Sequence, residues 1–503
     1  MNAKHASSQR IKILCFVLLI ISLAACQSAG TPTQPAEQAA PEPTAVPDTA
    51  VPAVTAEPEI QAPVTTETTQ ALPEALGGLK LPTFPLDEIA ALCDITPHPD
   101  VSGKLKIWGY YNGPMKVIAE EFKKIYPNVE LEITDFGLDD NHSRLLAAFT
   151  AGAGAPDIAM IQNEFVQTVW GPDGGLLDIT DWMGDSAQYF APEAMRKVSD
   201  TQGSMWGVPW DIGPAMVYYR QDVFDKYSID ANAIETWDDY IAAGKKVDQE
   251  SGGKVKMLIS NQILNSGGLF IVLSADQTML SQQLGSGWWD KAGNPIIDNE
   301  ANIRAMALLK RFRDESITLN DITGESEVAT MKDGSVATYP HAAWWQLEPK
   351  FLAPETKGLW NFMKLPAFEK GGVRAANVGG TAFYITKQSQ NSDLAKKFLK
   401  FFLICPEMRA LSYQNSYLFE AILFPAIQTQ SIFTDPDPFF NGRNPNITGI
   451  ESMMEAPPVI EAKGHKEARA IFDANVGDIL SGKVTVEEGM KRIQQLVKAA
   501  LQQ

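Results

Sequence analysis

The sequence predicts an α/β protein, because strand-like and helix-like segments alternate along the chain in short units. Residues 105–108 have the pattern of a strand, and a helix with one apolar face follows over 113–125. Residues 129–133 alternate apolar and acidic side chains as a half-buried strand does, a second helix follows at 145–149, and residues 157–161 form a third apolar strand. This order predicts a parallel sheet flanked by helices.

The same alternation starts again after Ala215. The predicted elements are a strand at 216–219, a helix from 237, a helix at 300–317, strands at 335–338 and 382–385, a helix at 393–403 and a last helix after Thr485. Thr236 is followed three residues later by Asp239, and Thr485 by Glu488. Each pair predicts a helix start in which the two side chains satisfy backbone N–H groups reciprocally.

The first 26 residues have the architecture of an export signal. Three basic residues precede an apolar run over 13–21, and Leu-Ala-Ala-Cys26 follows it. This tetrad resembles a bacterial lipoprotein signal, in which the cysteine becomes the lipid-modified first residue. A membrane helix is the weaker alternative, because the run is shorter than the roughly 20 residues that span a bilayer. We therefore expect a signal peptide over 1–25 and a lipid anchor on Cys26 that holds the protein at the outer face of the cell membrane.

A tether follows the predicted anchor. Residues 26–80 are rich in Pro, Thr, Ala and Glu, and between 27 and 79 there are seven acidic residues and no Lys or Arg. Such a segment buries too little apolar surface to fold, so it predicts a disordered tether rather than a domain. Residues 81–102 are interpreted as a transition segment before the first domain.

Charge and cysteine content limit the partners. Removal of residues 1–25, which hold three basic and no acidic residues, moves the formal charge from −19 to −22. So acidic a chain lacks the basic surface that nucleic acid or anionic lipid requires. Cys93 and Cys405 remain after Cys26 is lipidated, and they are either a disulfide or two buried thiols.

Six segments in a particular order resemble a known family. They are Leu105-Lys106-Ile107-Trp108, Gly154-Ala155-Pro156-Asp157-Ile158-Ala159-Met160-Ile161, Met205-Trp206-Gly207-Val208-Pro209-Trp210-Asp211, Tyr218-Tyr219-Arg220-Gln221-Asp222-Val223-Phe224, Asp333-Gly334-Ser335-Val336-Ala337 and Gly379-Gly380-Thr381-Ala382-Phe383-Tyr384-Ile385. Together they are similar to the extracellular solute-binding lipoproteins of ABC importers, in the carbohydrate-binding family that includes the maltose-binding protein.

The resemblance implies a two-lobed periplasmic-binding-protein type II fold, each lobe a mostly parallel sheet flanked by helices. By analogy, lobe one comprises 103–210 and 377–425, and lobe two comprises 214–376 and 430–503. The chain would cross between them near 209–214 and 375–377 and close a ligand in the cleft.

Candidate ligand-binding residues follow the predicted strands. A sugar site needs aromatic rings for the apolar faces of the sugar and polar or acidic groups for its hydroxyls. The candidates are Tyr110, Tyr111, Asn163, Glu164, Trp210, Asp211, Trp344, Trp345, Gly379 and Gly380. Asp211 is the preferred acceptor, and the two glycines let backbone approach the ligand. Alternation predicts that Tyr110/Tyr111 and Trp344/Trp345 each split, with one ring in the cleft and one packed inside.

The predicted function is that of a monomeric receptor, not an enzyme, that delivers a carbohydrate to a membrane permease. Its alternatives are a receptor for a glycerophosphodiester, peptide or polyamine, a carbohydrate-processing enzyme, and a receptor for a sensor kinase. Five scattered histidines without metal-ligand spacing predict neither metal nor cofactor.

Overall fold

The computed structural model describes residues 76–502 except 77, 170, 172, 173, 261–272, 321, 323 and 422, with backbone alone for 273–275. These residues belong to one compact unit, Pro63–Gln503. The predicted signal peptide over 1–25, the anchor residue Cys26 and nearly all of the predicted tether lie outside the described residues. Among the helices that are described, none has the length and apolar character needed to cross a membrane.

Ten strands and seventeen α-helices make up the described part of the chain. The strands are Ser102–Gly109 (β1), Asn128–Asp135 (β2), Ile158–Gln162 (β3), Gly207–Asp211 (β4), Ala215–Arg220 (β5), Leu258–Ser260 (β6), Thr318–Asn320 (β7), Thr338–Ala342 (β8), Trp360–Lys364 (β9) and Thr381–Ile385 (β10). The helices are Leu86–Ala90 (α1), Gly113–Ile125 (α2), Leu138–Ala151 (α3), Thr180–Met183 (α4), Pro192–Val198 (α5), Gln221–Lys226 (α6), Trp237–Ser251 (α7), Leu273–Gln283 (α8), Glu300–Asp314 (α9), Glu325–Asp333 (α10), Leu347–Leu352 (α11), Ser392–Leu403 (α12), Pro406–Ser416 (α13), Phe424–Thr429 (α14), Pro445–Glu455 (α15), His465–Leu480 (α16) and Val486–Leu501 (α17).

The strands form three sheets, in the orders β2-β1-β3-β10-β4, β8-β5-β9 and β6-β7. We call the five-stranded sheet with its helices the first lobe, and the other two sheets with theirs the second lobe. Alternation of buried Leu105 and Ile107 with more exposed neighbours gives β1 its inner face. Both predicted capping boxes, Thr236 with Asp239 and Thr485 with Glu488, are present at the starts of α7 and α17.

The α/β class is confirmed, but the expectation of mostly parallel sheets is wrong for the three-stranded sheet. β5 pairs antiparallel with both β8 and β9, and in the first lobe β10 is antiparallel to β3 and β4. Only β1 with β2, β1 with β3, and β6 with β7 run parallel among the paired strands described. The reason is the crossing of the chain: a strand that enters a lobe from the other lobe begins at the edge where its neighbours end.

Two predicted boundaries are wrong. The strand predicted over 335–338 is shifted to 338–342, because pairing with β5 begins at Thr338 while Ala337 still bonds to the Lys256 carbonyl. The helix predicted over 300–317 ends at Asp314, and Ser316 then adopts a φ of 59°. This left-handed conformation cannot continue a helix.

The segment before β1 is part of the first lobe. Phe84 exchanges two hydrogen bonds of 2.8 Å with the Gln428 side chain, and Ile89 and Leu92 are buried in the same core. Cys93 and Cys405 form a disulfide, which decides between the two alternatives that the sequence left open. Residues 84–93 therefore pack on the first lobe, and the bounds of the predicted transition segment, 81–102, stay a prediction.

Three chain segments run side by side where the lobes meet. Val378 N donates to Gly213 O and Ala215 N to Ala376 O, each at 2.7 Å. A third segment joins them, because Asp211 pairs antiparallel with Glu420. The first two of these segments lie at the predicted crossings, 209–214 and 375–377. The lobe boundaries inferred by analogy stay a prediction.

Candidate functional site

The strand edges of the two lobes face a common region. β1 to β4 end at the edge where β10 begins, since Thr381 pairs with both Gln162 and Asp211. In the second lobe β8 and β9 end where β5 begins, at Ala215. Only residues 212–214 separate the end of β4 from the start of β5, so the two edges are adjacent. Side chains that follow these strand ends therefore converge.

Tyr110 and Tyr111, which follow β1, are both half-buried at this edge, so burial does not distinguish them and the predicted split of the pair stays a prediction. The Tyr110 hydroxyl lies 2.9 Å from Thr381 Oγ1. Burial, with smaller contributions from the negative charges of Asp211 and Glu164, raises the pKa of Tyr110. Both tyrosines are therefore neutral hydrogen-bonding groups at physiological pH.

Trp210 requires a correction. We predicted that its ring faces the ligand, but it is fully buried, and its Nε1 donates to Ser412 Oγ at 3.1 Å. Tyr111 stacks on it with centroids 6.2 Å apart, and Phe383 and Phe402 pack against it. Trp210 lies in a buried strand inside the lobe, and Tyr111 stacks on its ring.

Asn163, Gly379, Gly380 and Asp211 meet at the end of the first sheet. Asn163 N donates to Gly380 O at 2.9 Å, and Gly379 and Gly380 adopt φ values of 69° and 107°. A Cβ on Gly380 would lie 2.7 Å from Asn163 Nδ2 and 3.0 Å from Asp211 O. Glycine is therefore required at 380 both by its conformation and by the close approach of the backbone.

Several buried acceptors without a hydrogen-bond partner lie at this edge, as others do elsewhere in the described residues. Among the described side chains, Gln162 Oε1, Asn163 Oδ1, Asp211 Oδ1 and Asn377 Oδ1 are buried and accept no hydrogen bond. Burial raises the pKa of Asp211 to about 7, opposed by a hydrogen bond from Thr381 and the charge of Arg409. Unsatisfied buried acceptors are costly unless a ligand or solvent supplies donors.

Glu164 connects the first lobe to helix α16 of the second. Arg469 Nη1 donates to Glu164 Oε2 at 3.3 Å, and His465 Nε2 lies 4.0 Å from the same oxygen. Trp289 Nε1 donates to His465 Nδ1, which leaves Nε2 for Glu164. Neither basic residue was among the candidates predicted from the sequence. Their signal is the four-residue spacing of His465, Arg469 and Asp473 beside the buried face of α16.

The pair Trp344 and Trp345 splits as predicted in burial. Trp345 is buried and stacks on Tyr339 at 4.6 Å, so of the two candidates it is a core residue. Trp344 is half-buried and makes an edge-to-face contact with His341 at 4.5 Å. The Trp344 ring therefore lies nearer the edge of the lobe, and the Trp345 ring lies in its core.

Glu348 on α11 is a buried carboxylate that the sequence analysis also missed. It is 5% exposed, and burial together with the nearby Glu327 raises its pKa to about 8. Burial, with a smaller contribution from the charge of Glu348, raises the pKa of Tyr111 on the first lobe to about 12. A helix of six residues without a repeating pattern gives no sequence signal for such a site.

Comparison with known proteins identifies the family. Residues 109–403, more than half of the chain, match the family described as bacterial extracellular solute-binding protein. The chain belongs to this family. The solute-binding protein is thus placed on the extracytoplasmic side of the membrane, among binding proteins rather than enzymes. The matched residues include every predicted ligand contact but not α16, which carries Arg469.

Relatives of this solute-binding protein agree with the match. An arabinooligosaccharide-binding protein of Halalkalibacterium halodurans is 27% identical over 78% of this chain and 83% of its own length. One of Bacillus subtilis is 30% identical over 56% and 64%, respectively, and a lactose-binding protein of Rhizobium radiobacter is 24% identical over 83% and 97%.

Solved structures show the fold. A binding protein from B. animalis subsp. lactis in complex with β-1,6-galactobiose aligns with a TM-score of 0.65 and 21% identity over 78% of this chain and 96% of that one. A maltose-bound T. maritima protein aligns with a TM-score of 0.62 and 21% identity over 79% and 99%. These type II binding proteins confirm the predicted two-lobed architecture.

Proposed function

We propose that the protein is the substrate-binding lipoprotein of an ABC importer, which captures a carbohydrate between its lobes and delivers it to a membrane permease. One observation carries the proposal: buried acceptors without partners lie beside half-buried tyrosines where the strand edges of the two lobes meet. Acceptors select a ligand rich in O–H donors, and aromatic rings cover its apolar faces. The sugar-binding names of the relatives support the same ligand class.

In this proposal both lobes contribute contacts. The first supplies Tyr110, Tyr111, Asn163, Glu164 and Asp211, with the Gly379-Gly380 backbone, and the second supplies Trp344, Glu348, His465 and Arg469. Closure about the crossing segments brings the two sets together. A ligand that touches both lobes prefers the closed state, which is the difference that a permease can recognise.

The proposed ligand class is tested by titration calorimetry of the mature protein. The panel contains neutral oligosaccharides of arabinose, galactose and glucose, together with glycerophosphodiesters, peptides and polyamines. We expect saturable binding of at least one sugar and a compaction seen by small-angle scattering. Tyr111→Ala and Trp344→Ala should each weaken binding tenfold or more, by about 1.4 kcal/mol, and the matched control Trp182→Ala should not. Binding only of a non-sugar solute, or of nothing in the panel, would reject the proposal.

Lipid attachment to Cys26 is a separate part of the proposal, supported by the Leu-Ala-Ala-Cys sequence after the apolar run. Expression of the full chain in a bacterium with labelled fatty acid should place label on the protein and direct it to the detergent phase. Cys26→Ser should abolish both results, whereas Cys93→Ser should leave the label in place. Equal labelling of the Cys26 variant would show that the anchor lies elsewhere.

A further inference from the structure

Three charged groups are buried together where the first lobe meets the crossing. Arg409 on α13, Glu420 and Asp211 are 0%, 6% and 5% exposed. Arg409 Nη2 lies 2.5 Å from Glu420 Oε2, and it donates to Trp210 O at 2.5 Å and to Ala421 O at 3.1 Å. The Arg409 guanidinium therefore joins the two paired chain segments, one of which contains Asp211 and the other Glu420.

The charges of this cluster do not balance. One guanidinium faces two carboxylates, and Glu420 has the direct contact. Burial raises the pKa of Asp211 and of Glu420 to about 7 each, and in both cases Arg409 lowers it against this effect. Burial lowers the pKa of Arg409, and the charges of Glu420 and Asp211 act against this shift. The two acids thus compete for one positive charge.

Asp211 has polar and charged neighbours on several elements. Thr381 on β10 donates to it, its charge contributes to the raised pKa of Tyr110 after β1, and Arg409 Nη2 donates to the carbonyl oxygen of the preceding residue, Trp210. Glu420 lies opposite in the antiparallel pair. Within the described residues, Asp211 Oδ1 has no hydrogen-bond partner, although Asp211 is buried. The carboxylate is held on one side by protein and has one oxygen left for a donor.

We propose that Arg409 is a positioning residue for ligand binding, which divides its charge between Glu420 and Asp211 and so keeps Asp211 a carboxylate that accepts ligand hydroxyls. Arg409 itself does not touch the ligand in this proposal. The inference rests on the proposed function, because it takes Asp211 as a ligand contact. It predicts that sugar affinity depends on pH through Asp211 and that Glu420, which competes for Arg409, opposes binding in acid.

A purely structural role makes a different prediction. If Arg409 only joined the two chain segments, its loss would lower the free energy of unfolding and the sugar affinity, and neither effect would change with pH. A charge-sharing role shifts the pH at which affinity is lost. Glu420→Gln distinguishes the two, because the amide keeps the shape and an oxygen for Arg409 while it removes the competing charge.

The test is the dissociation constant of the sugar identified in the panel, measured from pH 5 to 9 by calorimetry. In the wild type, affinity should fall as pH drops through about 7, because Asp211 gains a proton. Glu420→Gln should move this midpoint down by about one pH unit, Arg409→Lys should move it up, and Asp211→Asn should remove the pH dependence with at least a tenfold loss of affinity. Arg144→Met, on the exposed face of α3, is the control.

An unchanged midpoint in Glu420→Gln would overturn the proposal, and this variant does not depend on Arg409→Lys being folded. The proposed function fails separately, if the wild type binds no sugar. In that case the carbon-13 resonance of the Asp211 carboxyl still reports charge sharing: its titration midpoint should be lower in Glu420→Gln than in the wild type, and equal midpoints would again overturn the inference.

Discussion

The two lobes build their walls of the candidate site in different ways. The wall of the first lobe consists of Tyr110, Tyr111, Asn163 and Asp211, each directly after or at the end of a strand. The wall of the second lobe takes Glu348, His465 and Arg469 from α-helices and Trp344 from the short 3-10 helix Ala343–Gln346 that follows β8. Strand ends meet at one sheet edge whatever the sequence between them, whereas a helix presents a face that depends on how it packs.

Because of this difference, we expect the wall of the first lobe to be rigid and the wall of the second lobe to be adjustable. In the first lobe the site is fixed by ladder hydrogen bonds, such as those of Thr381 with its neighbours in β3 and β4. The basic groups of the second lobe stand on one helix, where Arg469 pairs with Glu164 of the first lobe and Lys466 lies 3.8 Å from Asp139. We therefore expect substitutions at the shared crossing to affect both walls, and substitutions on helices to act mainly on closure.

The largest effect is expected at Gly213, where the walls join. A Cβ at this position would lie 1.8 Å from the Val378 carbonyl oxygen, which is backbone and cannot turn away. Gly213→Ala should therefore lower the free energy of unfolding by at least about 3 kcal/mol, as measured by urea denaturation. Gly137→Ala, with no atom within 4 Å of its Cβ, is the control and should stay within about 0.5 kcal/mol of wild type. Equal free energies of unfolding for the two variants would show that the backbone of the crossing shifts at little cost.

The second prediction concerns the buried acid of the second wall. The folded-state pKa of Glu348, about 8, is above that of an unfolded glutamate. Its protonated form is thus favoured by folding, and this contribution is present below about pH 4.5 and lost as pH rises to 8. Glu348→Gln mimics the neutral form, so the variant should gain on the order of 3 kcal/mol relative to wild type between pH 5 and pH 8.

Chemical denaturation at the two pH values measures this difference. Exposed Glu120→Gln is the control and should follow the wild type. If Glu348→Gln and the wild type lose stability in parallel, the carboxylate of Glu348 is solvated at high pH and the second wall is more open than the structure shows.

The comparison also explains what the sequence could predict. Tyr110, Asn163 and Asp211 could be placed at strand ends from the sequence, because an apolar run that stops at a polar residue marks a strand end. Trp210 was misplaced because alternation alone does not say which face of a strand is buried deeper, and the helices α12 and α13 cover it. Trp344 and Trp345 differ in burial, because Trp345 packs in the core, and they lie in a 3-10 helix, so strand alternation is not the cause.

Other parts depend on long-range contacts. Arg469 and Glu348 become site residues only when the second lobe meets the first, and no local pattern contains that contact. The antiparallel direction of β10 follows from a crossing at 376–380 that returns the chain to the sheet edge. The Cys93–Cys405 disulfide joins residues 312 positions apart, so its formation was not decidable from two cysteines alone.

The third prediction measures the contact between the walls. Glu164 and Arg469 have side chains 14% and 18% exposed and form an ion pair between the lobes that is more buried than Lys466 with Asp139, whose side chains are 47% and 82% exposed. A double-mutant cycle with Glu164→Gln and Arg469→Met should give a coupling of about 1 to 2 kcal/mol in the free energy of sugar binding. The effects of the same substitutions on the compaction of the ligand-free protein, measured by scattering, should also be non-additive. Arg144 and Asp140, an exposed pair on α3, form the control cycle and should couple by at most about 0.5 kcal/mol. Zero coupling for Glu164 and Arg469 would mean that the lobes do not rely on this pair.

The smallest effect is expected within the first wall, at the hydroxyl of Tyr110. Tyr110→Phe removes the 2.9 Å bond to Thr381 Oγ1 without changing the ring, so the unfolding free energy should fall by about 1 kcal/mol. Thr381→Val removes the same bond from the other side and also a donor to Asp211, and it should therefore raise the pKa of Asp211 and cost affinity in acid, which Tyr110→Phe should not. Thermal unfolding and the pH profile of binding check the two variants. If both shift the profile equally, Tyr110 is itself part of the Asp211 network and the first wall is one cooperative unit.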